Sequence, residues 1–160
     1  MDNDTICALA SPAGGAIATI RISGTQSIGI ADKVFRATNH NSLADAKPNT
    51  IHFGNIVNDT NEVIDEVLVS VFRAPHSYTG EDSIEISCHG SSYIVAQVLQ
   101  VLIGNGCRQA QPGEYTMRAY LNGKMDLSQA EAVADLIAST NKATHHIAMS
   151  QLKGHFSSNL

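Results

Sequence analysis

Two runs of alternating isoleucines set the tightest constraint on this chain. In residues 16–23 (AIATIRIS) Arg21 stands between Ile20 and Ile22, and in residues 82–89 (DSIEISCH) Glu85 stands between Ile84 and Ile86. Side chains alternate between the two faces of a strand, so each run reads as a strand with isoleucine on one face and a single charge on the other. A sheet built from such strands must bury the first face and can leave the second uncovered.

The rest of the chain supplies partners for these strands. Residues 5–10 (TICALA) read as a strand, divided from 16–23 by the turn-like SPAGG. Residues 51–57 and 63–72 read as two more, joined through NDTNE as a hairpin. A short helix is expected over 26–35, with Ile28, Ala31, Val34 and Phe35 on one side. A longer one is expected over 91–103, with apolar residues at 94, 95, 98, 99 and 102, ended by the glycines at 104 and 106. Residues 38–49 and 73–80 (RAPHSYTG) read as loops, a short strand is expected around Cys107, and a helical turn over 117–121 follows the QPGEYT loop. This order indicates a mixed α+β domain rather than a regular βαβ array.

From Asp126 the character changes. DLSQAEAVADLIAS opens with two overlapping cap patterns, Asp126 with Gln129 and Ser128 with Glu131, and starts a long amphipathic helical segment. Its stripe runs through Leu127, Ala130, Ala134 and Ile137 to Ala148 and Leu152. Such a stripe needs cover: a further helix beyond these residues, the preceding domain, or a second subunit.

Composition excludes several classes. A formal charge of -5 over 160 residues, with ten Lys and Arg among fifteen acids, offers no basic stripe for broad nucleic-acid binding. No run approaches the roughly 20 apolar residues of a membrane span, and the start carries no secretory pattern. Cys7, Cys88 and Cys107 are odd in number and widely spaced, which suits a reducing cytoplasm better than a disulfide framework.

Several segments invite a chemical reading. SPAGG resembles a phosphate loop, but β-branched strand residues follow it where a helix N-terminus is needed, and no GxxxxGK[ST] occurs. Cys88-His89 and His145-His146 raise the question of a metal, yet neighbours on one element diverge, and CxxC, HxxxH and HExxH are all missing. No metal ligand or catalytic residue is assigned. Arg21 and Glu85 leave two readings open, a solvated strand face or the lining of a pocket. In the second, a carboxylate would accept paired hydrogen bonds from a flat heterocycle while a cation holds the ligand's anionic tail.

DTICALASP, ATIRISG, VIDEVLVSVFRAPHSYTGEDSIEISCHG, QPGEYTMRAYLNGKMDLSQAEAVADLI and AMSQLKGHFS, in this order, resemble the MnmE (TrmE) family of bacterial tRNA-modification GTPases. The resemblance runs from Asp4 to the end. It implies an amino-terminal domain over residues 1–122, similar to the tetrahydrofolate-binding domain of aminomethyltransferases, and the beginning of a helical domain over 123–160. The GTPase domain, with its GTP, Mg2+ and K+, and the family's carboxy-terminal cysteine motif are expected to lie outside these residues, which would then not hydrolyse GTP.

The resemblance further implies a homodimer formed through the amino-terminal domain and action with the flavoprotein MnmG (GidA). Together they install an aminomethyl-type group, such as carboxymethylaminomethyl, at C5 of the wobble uridine of tRNA. The implied one-carbon donor is 5-formyl- or 5,10-methylene-tetrahydrofolate. Its contacts fall on Arg21, Glu85 and Lys124, Glu85 meeting the pterin and the two cations the glutamate tail or ring edges. His89, Arg118 and Asn122 stand near the matched motifs without an assigned role. The family often carries a longer PPGxGG turn where this chain has SPAGG, which puts that loop's contacts in question. Two other readings stay beside this one: a stand-alone folate-dependent aminomethyltransferase, which the helical run after LNGKMD disfavours, and a dimerisation module without ligand.

Overall fold

A computed structural model describes residues 4–139. The chain divides into two compact units at Gln111–Pro112, each taken by itself below.

The first unit is a seven-stranded sheet of order β3-β4-β5-β6-β2-β1-β7. Its strands are β1 (Ile6–Leu9), β2 (Ile17–Ser23), β3 (Phe35–Ala37), β4 (Thr50–Val57), β5 (Val63–Phe72), β6 (Ser83–His89) and β7 (Arg108–Gln109). All neighbours are antiparallel except β1 and β7, so the α+β fold with a mixed sheet is as the sequence reads. The helices α1 (Ser27–Val34) and α2 (Ser92–Gly104) cover one face. Beneath them lie Ile20, Ile22, Val67, Val69, Val71, Ile84 and Ile86, fully or almost fully buried. Register stacks them in rows, Ile20 beside Ile86 beside Val69 and Ile22 beside Ile84 beside Val71. Burying one such side chain contributes about 1.5–3 kcal/mol, so these rows hold the sheet to its helices.

The β4–β5 hairpin closes as NDTNE predicts. Asn58 Oδ1 accepts from the amides of Thr60 and Glu62 at 3.1 and 2.8 Å, and Asn61 takes a left-handed φ of 64°. Two elements depart from the sequence reading. Phe35, expected on α1, opens the edge strand β3, its ring buried in the core while its backbone pairs with Ile56. Within the loop over 38–49 a 3-10 turn, Leu43–Asp45, is pinned by Asp32, whose carboxylate accepts from Ser42 Oγ and Leu43 N at 2.8 Å each.

SPAGG leads into β2, so its glycines precede a strand and not a helix. Gly14 has a φ of 89°, and Gly90 N donates to Ala16 O at 2.9 Å, zipping the end of β6 to this turn. A Cβ on Gly90 would stand 1.7 Å from Gly15 O, so only glycine fits there.

In the second unit α3 (Glu114–Leu121) begins earlier than the helical turn read over 117–121. It ends in a paired-bond glycine cap: Gly123 N donates to Tyr120 O at 3.0 Å and Lys124 N to Ala119 O at 2.8 Å, with Gly123 at φ 74°. LNGK is therefore a helix stop. Residues 127–139 are helical, and of the two cap patterns Asp126 with Gln129 is the one formed. Gln129 N donates to Asp126 Oδ1 at 2.8 Å while Gln129 Oε1 accepts from Asp126 N at 3.0 Å. The expected continuation of the stripe to Ala148 and Leu152, and the His145-His146 pair, lie outside the described residues. Among the described residues no helix is long and apolar enough to cross a membrane.

Candidate functional site

Among the described residues of the sheet unit no helix lies on the second face, and the two charges set there by alternation meet on it. Arg21 on β2 lies directly across from Glu85 on β6. Arg21 Nε and Nη2 both donate to Glu85 Oε1, at 3.2 and 3.1 Å, with the two side chains 24% and 30% exposed. The pair lines a cavity of about 410 Å³ together with Asn49, Phe72, His76 and Tyr78. Arg21 also lies under the Tyr78 ring, its guanidinium carbon 5.0 Å from the ring centre. A cation, a carboxylate and an aromatic face thus converge on one concavity, a set that can hold a flat, polar-edged ligand bearing an anionic group.

The loop carrying His76 and Tyr78 is held by a buried hydroxyl network. Ser23 Oγ donates to Glu81 Oε1 at 2.9 Å and lies 2.6 Å from Thr79 Oγ1, and Ser83 Oγ donates to Glu81 O at 3.1 Å. Ser23, Thr79 and Ser83 are all buried. Asp82 Oδ1 accepts from Ala74 N at 2.8 Å, and the Ala74–Pro75 bond is cis. TGED is therefore the latch of the loop, with hydroxyls where a surface loop would carry solvated side chains.

Arg21 and Glu85 are brought together; Lys124 belongs to the second unit, exposed on the turn that ends α3. Arg118 is buried on α3 and donates to Glu114 Oε2 at 3.1 Å. Asn122 caps α3, its N–H donating to Arg118 O at 2.9 Å. His89 is on the uncovered face, its ring held by Asp65. Sequence reasoning missed His76, Tyr78 and Asn49, which reside in loops whose path only tertiary bonds define. It missed Asp65 as well, although a signal was present: Asp65 shares its alternation with the buried Val67, Val69 and Val71, a charge on the apolar side.

The three cysteines are buried free thiols. Burial and then the Asp65 charge push the Cys88 thiol up to about 11, which disfavours the thiolate that a nucleophile needs. The Cys7 and Cys107 thiols share a hydrogen bond that lowers Cys7, while the same bond and burial push Cys107 far up. No group of three or more His, Cys, Asp or Glu that could hold a metal occurs among the described residues.

Fold and site define a mixed α+β sheet domain with a paired acid and base on its bare face. The sequence profile of the family described as GTP-binding protein TrmE N-terminus matches residues 5–124, and the chain belongs to that family. It is similar over its whole length to proteins named tRNA modification GTPase MnmE. Identity is 65% with that of Bacteroides thetaiotaomicron and 57% with that of Flavobacterium johnsoniae, in each case covering 34% of the relative. The chain thus spans about a third of the length of these relatives.

Proposed function

We propose that this chain supplies the one-carbon-donor site of a tRNA-modifying GTPase, and that the cavity at Arg21 and Glu85 binds 5-formyl- or 5,10-methylene-tetrahydrofolate. The observation that carries the reading is the Arg21–Glu85 pair on the uncovered face, in a cavity walled by Tyr78 and His76. Glu85 offers the acceptor pair that a pterin N–H and amino group require, and Arg21 the cation for a glutamate carboxylate. Lys124 is the second cation of this proposal. The sheet unit would then correspond to the tetrahydrofolate-binding domain of aminomethyltransferases, with a helical domain beginning near residue 123. The whole protein would dimerise through the amino-terminal domain and act with MnmG on C5 of the wobble uridine. GTP, Mg2+ and K+ belong to its GTPase domain.

Calorimetric titration with 5-formyltetrahydrofolate tests the site. Saturable binding to the wild type, lost in Arg21→Ala and in Glu85→Ala, supports it; undiminished binding to Glu85→Ala removes it. A second reading, a dimerisation module without ligand, draws on exposed Ile17, Ile51, Phe53 and Leu68 on the same face. It predicts self-association by sedimentation with no heat of folate binding.

A further inference from the structure

The Arg21–Glu85 pair is used unevenly. Arg21 presents a fork of two parallel donors, Nε and Nη2, a shape that suits two acceptors side by side. Both prongs fall instead on one oxygen, Glu85 Oε1, at 3.2 and 3.1 Å. Charged donors aligned each on its own oxygen sit closer, at about 2.7–2.9 Å. Glu85 Oε2 takes no hydrogen bond among the described residues. The fork can therefore serve a second acceptor while the carboxylate serves further donors. The two side chains are 24% and 30% exposed, so water reaches the pair and a shift within it costs little.

From β2 to β6 the cavity wall thus offers a donor and then two acceptors in line. Its complement is a planar edge with an acceptor and then two donors: a carbonyl, a ring N–H and an amino group. A pterin bearing its 4-oxo group has that edge. We infer, resting on the folate reading of this cavity, that Arg21 is a specificity-determining residue that reads the 4-oxo group. One prong stays on Oε1 and the other turns to the carbonyl. The ring N–H takes the lone pair given up on Oε1, and the amino group takes Oε2. Tyr78, its ring centre 5.0 Å from the guanidinium carbon, supports the fork through this shift. An amino group in place of the oxo sets a donor against the guanidinium and turns the neighbouring ring nitrogen into an acceptor facing the carboxylate. This ring-edge contact is additional to the one with a glutamate carboxylate.

The test is calorimetric titration of the 160-residue chain with two tail-free rings, 6-methylpterin and 2,4-diamino-6-methylpteridine, at a pH where both are neutral. The wild type is expected to prefer the oxo ring, and Arg21→Met to lose at least about tenfold of that preference, the effect of one charged hydrogen bond. Arg21→Lys keeps the charge but has a point donor in place of the fork; it is expected to lose preference too, and serves if Arg21→Met fails to fold. Neither probe has a tail, so a residue that met only the tail carboxylate would leave the preference unchanged. 5-Formyltetrahydrofolate is titrated beside them. If it fails to bind the wild type, the folate reading falls and this inference with it. If it binds while the ring preference is the same in wild type and variants, or 6-methylpterin does not bind, the inference alone is overturned.

Discussion

Gly90→Ala should be among the most damaging single-methyl additions in the sheet unit. The added Cβ would lie 1.7 Å from Gly15 O and 2.7 Å from Gly15 C. Both are backbone atoms, so no flexible side chain can swing aside. Reaching van der Waals separation means moving the SPAGG turn away from β6, which breaks the 2.9 Å bond from Gly90 N to Ala16 O. The lost bond costs about 1 kcal/mol and the overpacking about 1–3 kcal/mol, for a sum of about 2–4 kcal/mol. For a unit of this size that lowers Tm by on the order of 10 °C. Gly29→Ala is the matched control. Gly29 lies on α1 with nothing within 4 Å of its Cβ position, so alanine should stabilise by roughly 0.5–1 kcal/mol through helix propensity. The chain has no tryptophan, so urea unfolding followed by far-ultraviolet circular dichroism is the assay, with midpoints compared at constant slope. A Gly90→Ala loss under about 1 kcal/mol, or one equal to the change at Gly29, would refute the close-approach reasoning.

Arg21→Ala and Glu85→Ala should each change stability by less than about 1 kcal/mol, because the pair is partly solvated, while abolishing folate heat in calorimetry. A large loss of stability would make the pair structural. Cys88, raised to about 11 from 9.0, should hold its proton where the unfolded thiol has lost it. Its contribution is therefore full below pH 9 and declines as pH rises toward 11, so wild-type urea midpoints should fall between pH 8.5 and 10.5 more steeply than those of Cys88→Ala. Asp126→Ala removes one half of the reciprocal cap and should weaken the helix over residues 127–139 by about 1 kcal/mol. Hydrogen exchange would report this as faster amides at its first turn, with β2 and β6 unaffected.

What the sequence disclosed was whatever short periods encode. Period-two alternation marks β2, β5 and β6 and places Arg21 and Glu85 on a common face, since one apolar face per strand leaves a single arrangement. The cap at Asp126 is local chemistry and is readable as such; the stop at Gly123 is equally local, yet LNGK stands in the sequence reading only as a family motif. Phe35 reads as helical in the sequence because its apolar side chain suits the helical stripe as well as the core; only pairing with Ile56 decides that the backbone is extended. The cavity's loop walls escaped for a similar reason. His76 and Tyr78 are placed by hydroxyl bonds linking Thr79, Glu81 and Ser83 to Ser23, 56 to 60 residues away for Thr79 and Ser83, and no window along the chain contains both ends.

The sheet ends in two very short strands, three residues in β3 and two in β7. Each lies against a longer neighbour and takes up part of its outward row of amides and carbonyls. A visiting strand would find only a few free rungs on either border, which makes sheet-to-sheet extension, and with it fibril-like growth, unfavourable. The second face differs from these borders in kind: it presents side chains such as Ile51, Phe53 and Leu68, which single substitutions can change without touching the ladder.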